Sequence, residues 1–124
     1  MSRIAERFET LRRHGLALPE AVEEFPWGHS ALKVRGKTFV FLNQSEEELS
    51  LSVKLPASRD FALIFDWAEP TGYGLGRSGW VSARFGPDDE PDLELLERWI
   101  VESYKAIAPK KLGRMVGEDQ PSVA

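Results

Sequence analysis

Apolar residues recur along this chain with two different periods. Near the N-terminus, Ile4, Phe8 and Leu11 stand at i, i+4 and i+7, the spacing of one helical face. The helix is expected to begin after Ser2 as N-cap and to end near Gly15, which can take a left-handed C′ conformation. A second, shorter helical turn is expected over "PEAVEE" (19–24), where proline suits the first helical position. "FPWGHS" then breaks any helix, because Phe25 precedes a proline and Gly28 follows.

The period then changes to two. "ALKVRG" and "KTFVFLNQ" are separated by little more than Gly36, which predicts a tight hairpin around Arg35, Gly36 and Lys37. Leu49, Leu51, Val53 and Leu55 alternate with Ser50, Ser52 and Lys54, so this strand has one apolar and one polar face, as in a sheet covered on one side. "PASRDFALIFDWAEP" (56–70) reads as a helix capped by Ser58, with Phe61, Ile64, Phe65 and Ala68 buried and Pro70 as its stop. "WVSARF" alternates again: Val81, Ala83 and Phe85 face one way, Trp80, Ser82 and Arg84 the other. The longest helical signal follows, with Asp89 as expected N-cap, a stripe of Leu93, Leu96, Ile100, Tyr104 and Ile107, and Lys110 and Lys111 at the negative C-terminal end.

Strand runs between helices, without regular βαβ alternation, predict an α+β fold. Its two layers would be an antiparallel sheet of about four to five strands and helices packed on one face, in the order α-β-β-β-α-β-α. Residues 1–113 are expected to form a single domain and 114–124 a polar C-terminal tail. The 124 residues, 42% of them hydrophobic and 29% charged, suit one globular domain. No apolar run approaches the roughly 20 residues of a membrane span. "MSRIAERFETLRRHG" has no continuous apolar segment of a secretory signal. There is no cysteine, which excludes disulfide and thiolate chemistry and fits a cytoplasmic location. A monomer is expected.

The chemistry-bearing residues are sparse. His14 and His29 lack the spacing of metal ligands. His29 and Ser30 are chain neighbours in extended backbone, so their side chains point apart and cannot act as a base–nucleophile pair. Asp88 and Asp89 suit helix capping better than acid–base work. Neither a catalytic constellation, nor a metal site, nor a cofactor site is expected. "TGYGLGRSGWV" (71–81) has four glycines, but it lies between a helix and a strand and lacks the lysine of a P-loop. It also fails to open a helix as a dinucleotide-binding turn must. It is read as a loop needing positive φ before a strand, one that delivers Arg77 and Trp80 to the open sheet face.

With a net charge of −4, nucleic-acid binding would depend on a local basic patch. Two stretches supply one. "ALKVRGK" holds Lys33, Arg35 and Lys37, and "YKAIAPKKLGR" holds Lys105, Lys110, Lys111 and Arg114. Glu46, Glu47, Glu48 and the acidic run from Asp88 to Glu97 oppose them. Trp80, expected beside Lys54, Arg77 and Arg84 on the open face, is of a type that stacks a base or holds a peptide.

Several segments, taken in order, resemble the MmcQ/YjbR family of small bacterial proteins. They are "FPWG", "KVRGKTFVFL", "LSLSVKL", "GYGLGRSGWV" and a late Ser103-Tyr104, covering about Ile4 to Leu112. Gly76, Arg77 and Gly79 depart from the polar, basic and histidine residues that many members carry there; Arg77 keeps one positive charge. The resemblance implies a two-layer α+β fold and a family commonly described as DNA-binding. The expectation is a non-enzymatic DNA-binding protein contacting phosphates through Lys33, Arg35, Lys37, Lys54, Arg77 and Arg84, with Trp80 stacking. The alternative is a protein–protein adaptor using the same sheet face. One continuous positive face around Arg35, Lys54 and Arg77 would favour DNA, and interleaved carboxylates would favour the adaptor.

Overall fold

In the computed structural model, which describes residues 3–72 and 74–117, a six-stranded sheet carries helices on one face. Helix α1 (Arg3–Leu16) leads into β1 (Val22–Glu24), β2 (Ser30–Val34), β3 (Lys37–Gln44) and β4 (Leu49–Lys54). Then come the single turn α2 (Arg59–Ala62), β5 (Ala68–Pro70), β6 (Trp80–Phe85), α3 (Leu93–Ile107) and α4 (Lys110–Gly117). Strand order across the sheet is β1-β2-β3-β4-β6-β5, and every neighbouring pair is antiparallel. The fold is therefore α+β with an open antiparallel sheet, and it has one strand more than the upper expectation.

The two strands missing from the expected order, β1 and β5, fall where the sequence suggested helix. "PEAVEE" becomes a turn followed by β1, and Ala68–Pro70 becomes the edge strand β5. The helix expected over residues 56–70 is the four residues of α2, so Phe61 is 52% and Ile64 76% exposed rather than buried. Ser58 stands at the N-cap of α2 but donates its hydroxyl to Glu102 (2.6 Å) instead of capping. Asp92, not Asp89, caps α3 by accepting the Leu95 N–H at 3.1 Å, while Asp89 accepts the Gly86 N–H. The last helical signal divides at Ala108-Pro109, since proline forbids a continuing ladder. Helix α4 runs past the expected domain end at residue 113 and puts Val116 in the core. The expectations for Ser2 and for the tail beyond residue 117 fall outside the described residues.

Register explains the two faces. Val40, Val53 and Val81 lie in one row, Leu42, Leu51 and Ala83 in the next, and all point toward the helices. Leu96, Trp99, Ile100 and Tyr104 of α3, with Ile4 and Leu11 of α1, close this core. Leu32 pairs with Val40 and Lys33 with Thr38, which leaves Phe39 without an opposite residue, a β-bulge. The bulge turns Phe39 to the core side beside Val40, where its ring meets Tyr104 edge-on at 5.2 Å. Gly15 does not end α1. It lies within the helix, where an added Cβ would sit 2.4 Å from the terminal methyl Cδ1 of Leu32, so any larger residue here would push that core side chain aside.

A buried-edge ion pair ties α1 to the sheet. Arg12 grips Glu23 of β1 through Nε (2.9 and 3.0 Å) and its terminal nitrogen (2.7 Å), and Ser30 adds a hydroxyl at 2.6 Å. The Arg12 hydrogen bonds, joined by that of Ser30, hold the Glu23 carboxyl below its ordinary 4.5 despite partial burial. A carboxyl depressed in the folded state stabilises above its unfolded pKa and loses that contribution as pH falls through the folded value. Glu23→Gln is therefore expected to be less stable than wild type at pH 7, with the difference shrinking steadily toward pH 3. Urea titrations across that range measure it; a gap that stays constant with pH would contradict this role.

Candidate nucleic-acid interface

The β2–β3 hairpin turns through Arg35 (φ 51°) and Gly36 (φ 81°), consecutive left-handed residues as a two-residue primed turn requires. This turn, the end of β4 and the start of β6 all lie at one end of the strands. The glycine-rich segment is there too. Leu75–Ser78 forms a 3₁₀ turn framed by Gly74 (φ 81°) and Gly79 (φ 92°), both left-handed. Gly76 is buried, with room for a Cβ denied by Pro70 at 2.8 Å. The Gly79 carbonyl accepts the Leu55 N–H at 2.9 Å, pinning the turn to the end of β4. The segment is thus a structured connection from β5 to β6, and its two left-handed glycines supply the positive φ expected of it.

The sequence-predicted cations separate into two groups. Lys33 contacts Glu24 at 2.8 Å, and Arg35 forms a two-pronged contact with Glu20 at 2.5 and 3.0 Å. Arg84 stands between Glu48 (3.5 Å) and Glu69 (3.6 Å). Hydrogen bonding to Arg35 keeps the Glu20 carboxyl below its ordinary value, so that pair is charged on both sides at neutral pH. Lys37, Lys54 and Arg77 have no ion pair among the described residues. Lys54 pairs across the ladder with Trp80, three residues beyond Arg77, and Lys37 begins the neighbouring β3. These three therefore share one end of the sheet.

The open face between them is mostly neutral. Ser52 and Ser82 exchange a hydroxyl hydrogen bond across the ladder (2.7 Å), and Thr71 joins Ser82 at 2.9 Å. Trp80 lies on this face as its register demands, but it is only 7% exposed, with its ring 5.6 Å from that of Phe41. It therefore offers little surface for stacking a base. His29 meets Asn43 at 2.9 Å on the same face.

Helices α3 and α4 extend the basic end. Ser103 of α3 accepts the Lys54 N–H at 2.8 Å and donates to the Phe39 carbonyl at 2.6 Å. The next residue, Tyr104, donates its hydroxyl to the Pro19 carbonyl at 2.6 Å, and burial holds that hydroxyl above its ordinary pKa. Lys105 follows and packs beside Gly113 of α4; Lys111 lies near Glu20, which Arg35 also holds. Lys105, Lys110, Lys111 and Arg114 are all exposed. The opposite end of the sheet carries Glu46, Glu47 and Glu48 in the β3–β4 turn and Asp88, Asp89, Glu90 and Asp92 before α3. Charge is thus polarised along the strands, an arrangement hidden in a net charge of −4. Among the described residues, no group of three or more His, Cys, Asp or Glu is placed to hold a metal ion, and no helix is long and apolar enough to cross a membrane.

A family model described as YjbR matches residues 16–106, well over half of the chain. No curated protein matches it.

Proposed function

We propose that this chain, which belongs to the YjbR family, is a non-enzymatic DNA-binding protein that takes the phosphate backbone at the basic end of its sheet. The observation that carries this reading is the gathering of Lys37, Lys54 and Arg77, uncompensated by carboxylates, beside Lys105, Lys110, Lys111 and Arg114. Cations with no internal partner break no ion pair when they meet phosphate, and each contact made releases condensed counterions. Lys33, Arg35 and Arg84 are already satisfied, so they contribute local structure and little affinity. Trp80 positions Lys54 and β6 and does not read bases. Binding of this kind orients a duplex without specifying its sequence.

Fluorescence anisotropy with labelled duplex and single-stranded DNA, over a range of salt, tests this. Binding is expected at low salt, and the logarithm of the association constant should fall linearly with that of salt concentration. No binding at low salt, or binding indifferent to salt, would refute it.

The competing reading is a partner protein on the open sheet face. It is favoured by Glu24, Glu48 and Glu69, which interleave with Lys33 and Arg84 there and leave no continuous positive face.

A further inference from the structure

At the acidic end, Phe65, Trp67, Phe85 and Leu95 line a cavity of about 500 Å³, with Asp66, Asp89, Glu90 and Asp92 on its rim. That volume lies within the range of ligand pockets, roughly 300–1,000 Å³. Its wall is aromatic: Trp67 stacks on Phe65 at 4.5 Å and meets Phe85 at 4.9 Å and Trp99 at 5.6 Å. The apolar surface continues outward, because Phe61 packs edge-on against Phe65 and is half exposed. Ile64, the chain neighbour of Phe65, is 76% exposed. Large apolar side chains left in water beside an aromatic cavity mark a surface that is covered in use.

The rim selects the charge of the occupant. Asp89 and Asp92 hold backbone amides, Glu90 meets Arg3 at 3.4 Å, and Arg7 donates to the Asp89 carbonyl. Asp66 has no ion pair among the described residues, and all four carboxylates are exposed. Two arginines against four carboxylates leave the rim negative.

We infer that this cavity and the Phe61–Ile64 surface dock a basic amphipathic segment of a partner protein. An aliphatic or aromatic residue would cover Phe61 and Ile64, and a Lys or Arg would enter over the aromatic wall. There the cation gains both the ring faces and the carboxylate rim. A foreign segment fits better than a second copy of this chain. A contact between the basic end of one molecule and the acidic end of the next is head-to-tail, and without closure it runs on into filaments. The site lies at the opposite end of the sheet from the DNA surface, so either can fail without the other.

Three synthetic peptides test the proposal with the full chain: a Lys/Leu amphipathic helix, a Glu/Leu peptide of the same apolar pattern, and a Lys/Ser peptide of the same charge. Amide and indole NMR shifts should move at Phe65, Trp67 and Phe85 with the Lys/Leu peptide. The Lys/Ser peptide should bind at least tenfold more weakly and the Glu/Leu peptide not at all. Phe61→Ser/Ile64→Ser alters side chains that lie outside the core, and Asp66→Asn/Glu90→Gln keeps the residues that cap backbone. Each pair should weaken the Lys/Leu peptide at least tenfold while leaving DNA affinity within twofold. Equal binding of the acidic peptide, shifts confined elsewhere, or indifference to both double variants would overturn it. Concentration-dependent self-association lost in the same variants would also overturn it, in favour of a second copy.

Discussion

Ser103→Ala is expected to lower the free energy of unfolding by about 2–4 kcal/mol, since a buried group left without its partner costs about 1–3 kcal/mol. Ser103 is fully buried, and its one hydroxyl serves two backbone groups, the Lys54 N–H and the Phe39 carbonyl. Phe39 sits at the bulge, where no residue of β2 stands opposite, so α3 supplies what the ladder does not. Alanine opens little space and admits no water to either group. Urea denaturation should therefore show a lower midpoint with an unchanged slope. A loss below about 0.5 kcal/mol would mean that the bulge finds other partners. Because Lys54 ends β4, the same substitution should also loosen the basic end.

Replacing Lys37, Lys54 and Arg77 together by alanine is expected to weaken DNA binding at least roughly tenfold at about 50 mM salt. It should also reduce the salt slope by about two to three, near one unit for each lost phosphate contact. The complementary triple variant, Lys33→Ala, Arg35→Ala and Arg84→Ala, removes the same formal charge from residues that already hold Glu24, Glu20, Glu48 and Glu69. It should change the slope by less than one. The contrast matters because net charge alone predicts identical effects. If the two variants behave alike, the carboxylate pairing does not sort these cations.

Much of the architecture was legible because it follows period-two alternation. Leu49, Leu51 and Val53 point inward as expected, Ser50, Ser52 and Lys54 outward, and the hairpin turns at Arg35-Gly36. The errors were local coincidences of spacing. Phe61, Ile64, Phe65 and Ala68 stand at helical intervals, yet the chain leaves the helix after one turn. Phe65 and Trp67 then join a long-range aromatic cluster with Phe85 and Trp99, which no local pattern encodes. Proline at its start made "PEAVEE" look helical, yet Glu23 lies on a strand, where it meets Arg12.

Those same errors blurred the candidate site. The cations could be read from the sequence, but their partners could not. Glu20 and Glu24 lie in the segment misread as a helical turn, and Glu69 lies in the misread end of the second helix. Strand pairing brings β1 beside β2 and β5 beside β6, and only then do those carboxylates reach Lys33, Arg35 and Arg84. The clustering of Lys105, Lys110, Lys111 and Arg114 in the chain was visible. Its position at the same end as Lys37, Lys54 and Arg77 depends on the direction of α3 across the sheet. Ser103 and Tyr104 resembled a family signature, and both act here as staples from α3, to the sheet and to the Pro19 turn.

The most direct test of the DNA-binding surface is an amide NMR titration of the full chain with a short duplex at low salt. Shift changes should concentrate at Lys37, Lys54, Leu55, Arg77, Gly79, Lys105 and Lys110, and should collapse as salt is raised. Changes centred instead on Ser50, Ser82 and Arg84 of the open face, or no changes at all, would contradict a phosphate surface at the basic end of the sheet.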